Sequence, residues 1–162
     1  MKQRQLSTKK GFTIIEVVLV LAIAGLIFLM VFLALPALQR NQRDTQRKND
    51  LSRVQSAINS FQSNNRGTTP ADVIAMNGAF KTQYLLTGSD TFQDPDGDTY
   101  TFVTGTIGTL PASMKPSGGG STSIYFFKNA RCVGENTENA GGSNKVAIAL
   151  KLEGGGVYCL NN

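Results

Sequence analysis

Residues 17–35 constrain this chain more than any other stretch, because they hold no polar side chain and no proline. About 20 consecutive apolar residues cross the hydrocarbon core of a bilayer. Widened to residues 12–38, the segment has that length, with Thr13 and Glu16 as its only polar interruptions. Lys2, Arg4, Lys9 and Lys10 precede it, while Arg40, Arg43, Arg47, Lys48 and Arg53 follow it. The positive-inside rule therefore does not decide its orientation. A signal anchor is the plain reading. A cleaved secretory signal fits less well, since the apolar core is long and Leu35-Pro36-Ala37 is a poor small-x-small cleavage site.

The segment makes whole-chain averages misleading. The remainder of the 162 residues is polar and rich in Gly and Thr, enough for one small domain. The net charge of +5 is largely a property of the first eleven residues, which carry four cations and no acid. From Phe12 onward, 12 basic side chains face 11 acidic ones, so the high pI is no argument for nucleic-acid binding. The chain has no histidine, which excludes His-ligated metal sites and His-activated nucleophiles. No GxSxG, P-loop, HExxH or paired CxxC motif occurs. Nothing in the sequence points to an enzyme.

The approach to the apolar run reads Lys9-Lys10-Gly11-Phe12-Thr13-Ile14-Ile15-Glu16. A carboxylate in an apolar helix costs on the order of 2–3 kcal/mol even on lenient insertion scales. Unless Glu16 snorkels to the interface, it needs a partner. The pattern of basic leader, glycine, aromatic residue, carboxylate and long apolar helix resembles the class III signal of type IV pilins and pseudopilins. The resemblance is specific over about residues 9–38. It implies cleavage between Gly11 and Phe12 by a prepilin peptidase that also N-methylates Phe12. It implies, further, that Glu16 meets the Phe12 amine of a neighbouring subunit, neutralising two charges in an apolar filament core and setting axial register. On this reading a monomer has no use for Glu16. Gly25 and Pro36, both poor in a helix interior, bracket a stretch whose helix would loosen in a filament; for Gly25, close packing of helices is the alternative.

Residues 39–50 contain no apolar side chain and read as a continuing helix, polar all round. The cluster Arg40, Arg43, Arg47 and Lys48 reads either as a site for anionic lipid or DNA or, as we favour, as a solvated face. Leu51, Val54, Ile58 and Phe61 then fall on one helical face that should pack on a sheet. Gly67 is the expected residue just past the helix end. Thr69 and Pro70 predict the cap and first position of a short helix over residues 71–76. Residues 83–86 form a short apolar patch of open type. Residues 100–103, 123–127 and 145–153 read as strands, the last alternating Val146, Ile148, Leu150 and Leu152 with smaller or polar residues. Gly154-Gly155-Gly156 supplies a reversal into residues 157–160. Residues 116–123 read as a Gly/Ser-rich loop. The expected fold is α+β, with a long N-terminal helix and an antiparallel sheet of three to four strands packed on its second half, as in the pilin fold. The division is a leader over 1–11, a membrane or filament-core helix over 12–38 and a head over 39–162.

Two further groups carry expectations. Cys132 and Cys159 are the only cysteines. An extracytoplasmic head with two cysteines suggests a disulfide closing a loop of about 28 residues, worth roughly 3–4 kcal/mol. The resemblance points the same way, because many pilins have a C-terminal loop bounded by two cysteines; two unlinked buried thiols are the alternative. The loop itself, residues 133–144, reads as exposed. Asp94, Asp96 and Asp98 alternate around Pro95 and Gly97 and offer hard oxygen ligands for calcium. Against that, the glycine is two residues too early for an EF-hand loop, and a polar turn before the strand at Tyr100 is the favoured reading. Asp-Pro followed by Gly and Tyr also resembles a motif of pseudopilin heads. The family resemblance implies a precursor in the cytoplasmic membrane, then a surface filament. Its partners would be further copies of the chain, the prepilin peptidase/N-methyltransferase, and an assembly platform with its ATPase. The alternatives are a pseudopilin of a secretion or competence system, and a signal-anchored monomer that binds a ligand.

Overall fold

The computed structural model describes residues 11–88, 91–109, 111, 113, 115 and 120–162. Residues 1–10 of the leader and residues 116–119 of the Gly/Ser-rich loop therefore lie outside the described residues. The chain divides into two compact units, residues 1–39 and 40–162. Helix α1, Ile14–Asn64, runs through both.

In the first unit, α1 is unbroken across Gly25 and Pro36. Nearly every side chain of residues 12–38 is exposed, including Phe28, Met30, Phe32 and Leu33. The helix is long and apolar enough to cross a membrane.

The second unit is built on the other half of α1. Leu51, Val54 and Ile58 are fully buried, Ala57 joins them, and Phe61 packs at their edge. That is the helical face expected from their spacing. Gly67, at φ 80, follows the helix, and its N–H donates to the Gln62 carbonyl at 2.7 Å. The next helical piece starts later than Pro70 suggests. Asp72 caps it through a bond from the Ala75 N–H, so α2 is Val73–Ala75, running into a π-helical segment, Met76–Leu85. The apolar patch of residues 83–86 falls largely inside that segment, where Leu85 is buried.

The strands are β1 Thr99–Thr104, β2 Ser121–Lys128, β3 Ala130–Val133, β4 Asn136–Asn139, β5 Val146–Lys151 and β6 Val157–Asn161. Four form one sheet in the order β1-β2-β5-β6, and β3 pairs with β4. The sheet departs from the antiparallel expectation at β1, which lies parallel to β2 with Tyr100 opposite Thr122. The length of the connection permits this. A parallel pair needs a crossover of about a dozen residues, and the link between Thr104 and Ser121 is long enough. The expected loop at residues 133–144 also contains structure, since β4 pairs back on β3 around Gly134, whose φ is 62.

Both faces of β5 are buried from Val146 to Leu150, which is why those five residues are all apolar. Val146, Ile148 and Leu150 meet α1 with Met76, Phe80, Tyr100, Phe102, Ile124 and Phe126. Ala147 and Ala149 meet Phe127 and Ala130 on the opposite face, beneath the β3–β4 hairpin. The outer edge of β1 is closed by side chains. Asn77 Nδ2 donates to the Phe102 carbonyl and Asn77 Oδ1 accepts the Phe102 N–H, both at 2.8 Å, while Lys81 Nζ donates to the Tyr100 carbonyl at 2.7 Å. A covered edge cannot template pairing with another chain.

Candidate functional site

The N-terminal segment and a buried ion cluster hold most of the residues singled out above; each is taken within its own unit. In the first, Phe12 is 89% exposed and Gly11 has open space around it. A Cβ on Gly11 or on Gly25 would meet nothing within 4 Å. Among the described residues, no packing requires glycine at either place. Helix α1 opens on a reciprocal cap. The Thr13 N–H and Thr13 Oγ1 each donate to Glu16 Oε2 at 2.9 Å, and the Glu16 N–H donates to Thr13 Oγ1 at 3.3 Å. This is a capping box, Thr-x-x-Glu, which satisfies N–H groups that a helix start leaves orphaned. The pattern Thr13-Ile14-Ile15-Glu16 carried that signal, and the sequence reading missed it. The cap gives Glu16 a use in an isolated chain, so the carboxylate alone does not argue against a monomer. Both bonds from Thr13 fall on Oε2.

The second unit contains an arrangement that the sequence hid. Arg47 is completely buried. Its Nε and Nη2 grip Asp94 as a fork at 2.8 and 2.9 Å. Nη2 also donates to Asp96 Oδ2 at 2.8 Å, and Nη1 to Asp44 Oδ1 at 3.1 Å and Glu153 Oε2 at 3.2 Å. All five N–H groups of the guanidinium are thus taken by carboxylates. Arg43 reinforces the cluster through Glu153, at 2.8 Å from Nε, and Asp96, at 3.3 Å. Asp44 turns back to accept the N–H groups of Glu153 and Gly154 at 2.9 and 2.8 Å. The β5–β6 turn is thereby tied to α1. A Cβ on Gly154 would lie 3.1 Å from Asp44 Oδ2, so this glycine keeps the turn close to its anchor. The expectation of a solvated basic face fails at Arg47 and Arg43. Four acids distant in sequence, or one turn away, have drawn them inward.

The electrostatics follow. Burial pushes the Asp94 carboxyl up, but the hydrogen bonds from Arg47 and the Asp96 N–H outweigh it and hold it below the usual carboxylate range. Glu153 is held down to about 2, chiefly by its hydrogen bond with Arg43; desolvation opposes this, and the Arg47 hydrogen bond and the two nearby positive charges help to outweigh it. Burial alone would lower Arg47; its acidic partners raise it instead, so it stays charged. Tyr100 is buried, and its hydroxyl donates to Asp50 Oδ2 at 2.8 Å.

The calcium candidates are placed by the same cluster. Asp94 and Asp96 face Arg47, whereas Asp98 meets Lys115 Nζ at 2.6 Å. Among the described residues, no group of three or more acidic, cysteine or histidine side chains is arranged to hold a metal. The turn itself is tight, with the Gly97 N–H on the Asp94 carbonyl and the Asp94 N–H on the Asp98 carbonyl, both 2.8 Å. Cys132 on β3 and Cys159 on β6 are disulfide-bonded, Cα to Cα 5.8 Å, which pins the hairpin to the sheet edge.

Comparison with known proteins gives one match, to a motif of the N-terminal segment. Residues 6–32 match the prokaryotic N-terminal methylation motif. No curated protein and no solved structure matches the chain. The matched residues span Gly11, Phe12, the Thr13–Glu16 cap and most of the exposed apolar half of α1. The chain therefore carries the class III signal characteristic of type IV pilins and pseudopilins, on a pilin-like α+β fold.

Proposed function

We propose that this protein is a structural subunit of a type IV pilus, a non-enzymatic component that polymerises through residues 12–38. One observation carries the reading. The methylation motif opens a helix whose large apolar side chains, from Ile14 to Leu35, lie exposed among the described residues. Side chains so exposed must be covered by lipid before assembly and by identical helices after it. Cleavage after Gly11 frees the Phe12 amine four residues before the first turn's only carboxylate, Glu16. In a bundle of parallel helices that amine and a neighbour's Glu16 neutralise each other. The partners on this reading are further copies of the chain, the prepilin peptidase/N-methyltransferase, the assembly platform and its ATPase. The precursor resides in the cytoplasmic membrane and the polymer on the cell surface, serving motility, adhesion or DNA uptake.

Electron microscopy of material sheared from the cell surface, with mass spectrometry of its main band, tests this reading. Filaments composed of this chain are expected. A second reading, a pseudopilin of a secretion or competence system, draws support from the Asp94-Pro95-Asp96-Gly97 turn and Tyr100, which the structure locks to Arg47 and Asp50. Its signature is an intact processed pool with no shed filament. A chain recovered only as an uncleaved monomer would defeat both.

A further inference from the structure

An open cleft of about 630 Å³ lies within the second unit, beside the end of α1. Arg66, Thr68, Thr69, Lys128, Ser143 and Asn144 line it. Its size is that of a small-molecule site. The lining contains two cations, three hydroxyls and an amide, and neither a carboxylate nor an aromatic ring.

The walls are fixed rather than loose. Gln62 holds both sides: its carbonyl accepts the Gly67 N–H, and its Nε2 donates to the Asn144 carbonyl, each at 2.7 Å. Asn162 Nδ2 ties the same two points, donating to Gln62 Oε1 at 2.8 Å and to the Asn144 carbonyl at 2.9 Å. Lys128 is steadied by the Ala71 carbonyl, 3.2 Å from its Nζ. Asp72, next in the chain, is committed to the Ala75 N–H and is not part of the lining. Arg66 holds a left-handed backbone at φ 54, and so does Asn129, directly after Lys128, at φ 58. For Arg66 this is the left-handed residue of the turn that ends α1, and Asn is a residue that adopts that conformation readily.

We propose that this cleft binds an acidic sugar, with the anionic group between Arg66 and Lys128 and the ring hydroxyls on Thr69, Ser143 and Asn144. A guanidinium and an ammonium suit a carboxylate or a phosphate. Hydroxyl and amide side chains supply the mixed donors and acceptors that a polyhydroxylated ring needs. A single-stranded nucleic acid is disfavoured because no aromatic side chain lines the cleft to stack a base. The inference is independent of filament assembly.

The test is calorimetric titration of the full chain in detergent micelles. The probes are a glucuronate-containing disaccharide, a hexose 6-phosphate, a neutral disaccharide and short single-stranded DNA. Saturable binding of either acidic sugar, and none of the neutral one, is expected; the stronger of the two identifies the anionic group. Arg66→Asn, which removes the charge but suits a left-handed backbone, and Lys128→Gln should each weaken binding about tenfold or more. Arg131→Gln, at an exposed pair with Glu138, should not. Circular dichroism matching the wild type shows that the variants fold. No binding of either acidic sugar, binding indifferent to Arg66 and Lys128, or preference for DNA would overturn the proposal.

Discussion

Two side chains, Glu16 and Arg47, show two ways of satisfying a charge, one in a cap at an exposed helix start and the other in a buried cluster of acids. Glu16 has two roles that a single substitution separates. Glutamine preserves a capping box while removing the charge. Alanine removes both. If the charge pairs with the Phe12 amine of a neighbour, Glu16→Gln and Glu16→Ala should both lose sheared filament while leaving the membrane pool normal. If the cap is the whole role, Glu16→Gln should assemble like wild type. Arg47 is a different case, a buried cation whose five donors are all taken. Arg47→Ala leaves Asp94 buried without its fork, and breaking a buried pair typically costs about 3–5 kcal/mol. Chemical denaturation should show a loss of that order. The same cluster sets acid sensitivity. Glu153 and Asp94 have folded-state values below their unfolded ones. Their contribution is therefore complete above the ordinary carboxylate range, and it fades as pH falls from about 4.5 towards the Glu153 value of about 2. Melting temperature should hold from neutral pH to about 5 and fall below it, and Arg47→Ala should flatten that fall. With Asp94 and Asp96 bound to Arg47 and Asp98 to Lys115, excess Ca²⁺ should leave the melting temperature where a chelator does.

Among the elements, the disulfide joins parts of different strength. Sheet strands β5 and β6 are knitted into the core, but β3 and β4 form a two-stranded hairpin, and such a pair is marginal alone. Cys132–Cys159 fixes that hairpin to β6. Non-reducing peptide mapping should recover one cross-linked pair. Replacing both cysteines by serine should cost about 3 kcal/mol, and hydrogen exchange should rise first at residues 130–139. What was legible at this scale followed local pattern. The face Leu51, Val54, Ile58 and the strands at Tyr100, Ile124 and Ile148 were readable because period and burial coincide. The parallel pairing of β1 and the strand β4 were not, since one depends on a long connection and the other on polar residues with only Thr137 buried. The Arg47 cluster was illegible for a similar reason. Only Asp44, one turn before Arg47, is local; the acids of residues 94, 96 and 153 come from distant segments that no local pattern links to it. The methylation signal was the opposite, a contiguous motif.

For the molecule as a whole, the decisive event on the proposed reading is the removal of residues 1–11. It would take away four cations and turn a chain of net charge +5 into one near neutrality. It would also create a free amine at the mouth of an apolar helix, the counter-charge that the proposed assembly gives a neighbour's Glu16. The mature protein should therefore begin at Phe12, as N-terminal sequencing of surface material will show. A start at Met1 would indicate a plain anchor, and a start near Leu38 a conventional secretory signal. Gly11 allows a sharper version of the test. A Cβ there meets nothing within 4 Å, so Gly11→Val should not disturb folding. Membrane insertion depends on residues 12–38 and should also be unchanged, and the Cys132–Cys159 bond should still form. What should fail is cleavage, because an enzyme that cuts after a glycine must accommodate the new side chain in its own site. Uncut chain should accumulate in the membrane with an oxidised head and no filament. If Gly11→Val were cut and assembled as wild type, the glycine would have no part in processing, and the class III reading of this leader would lose its central residue.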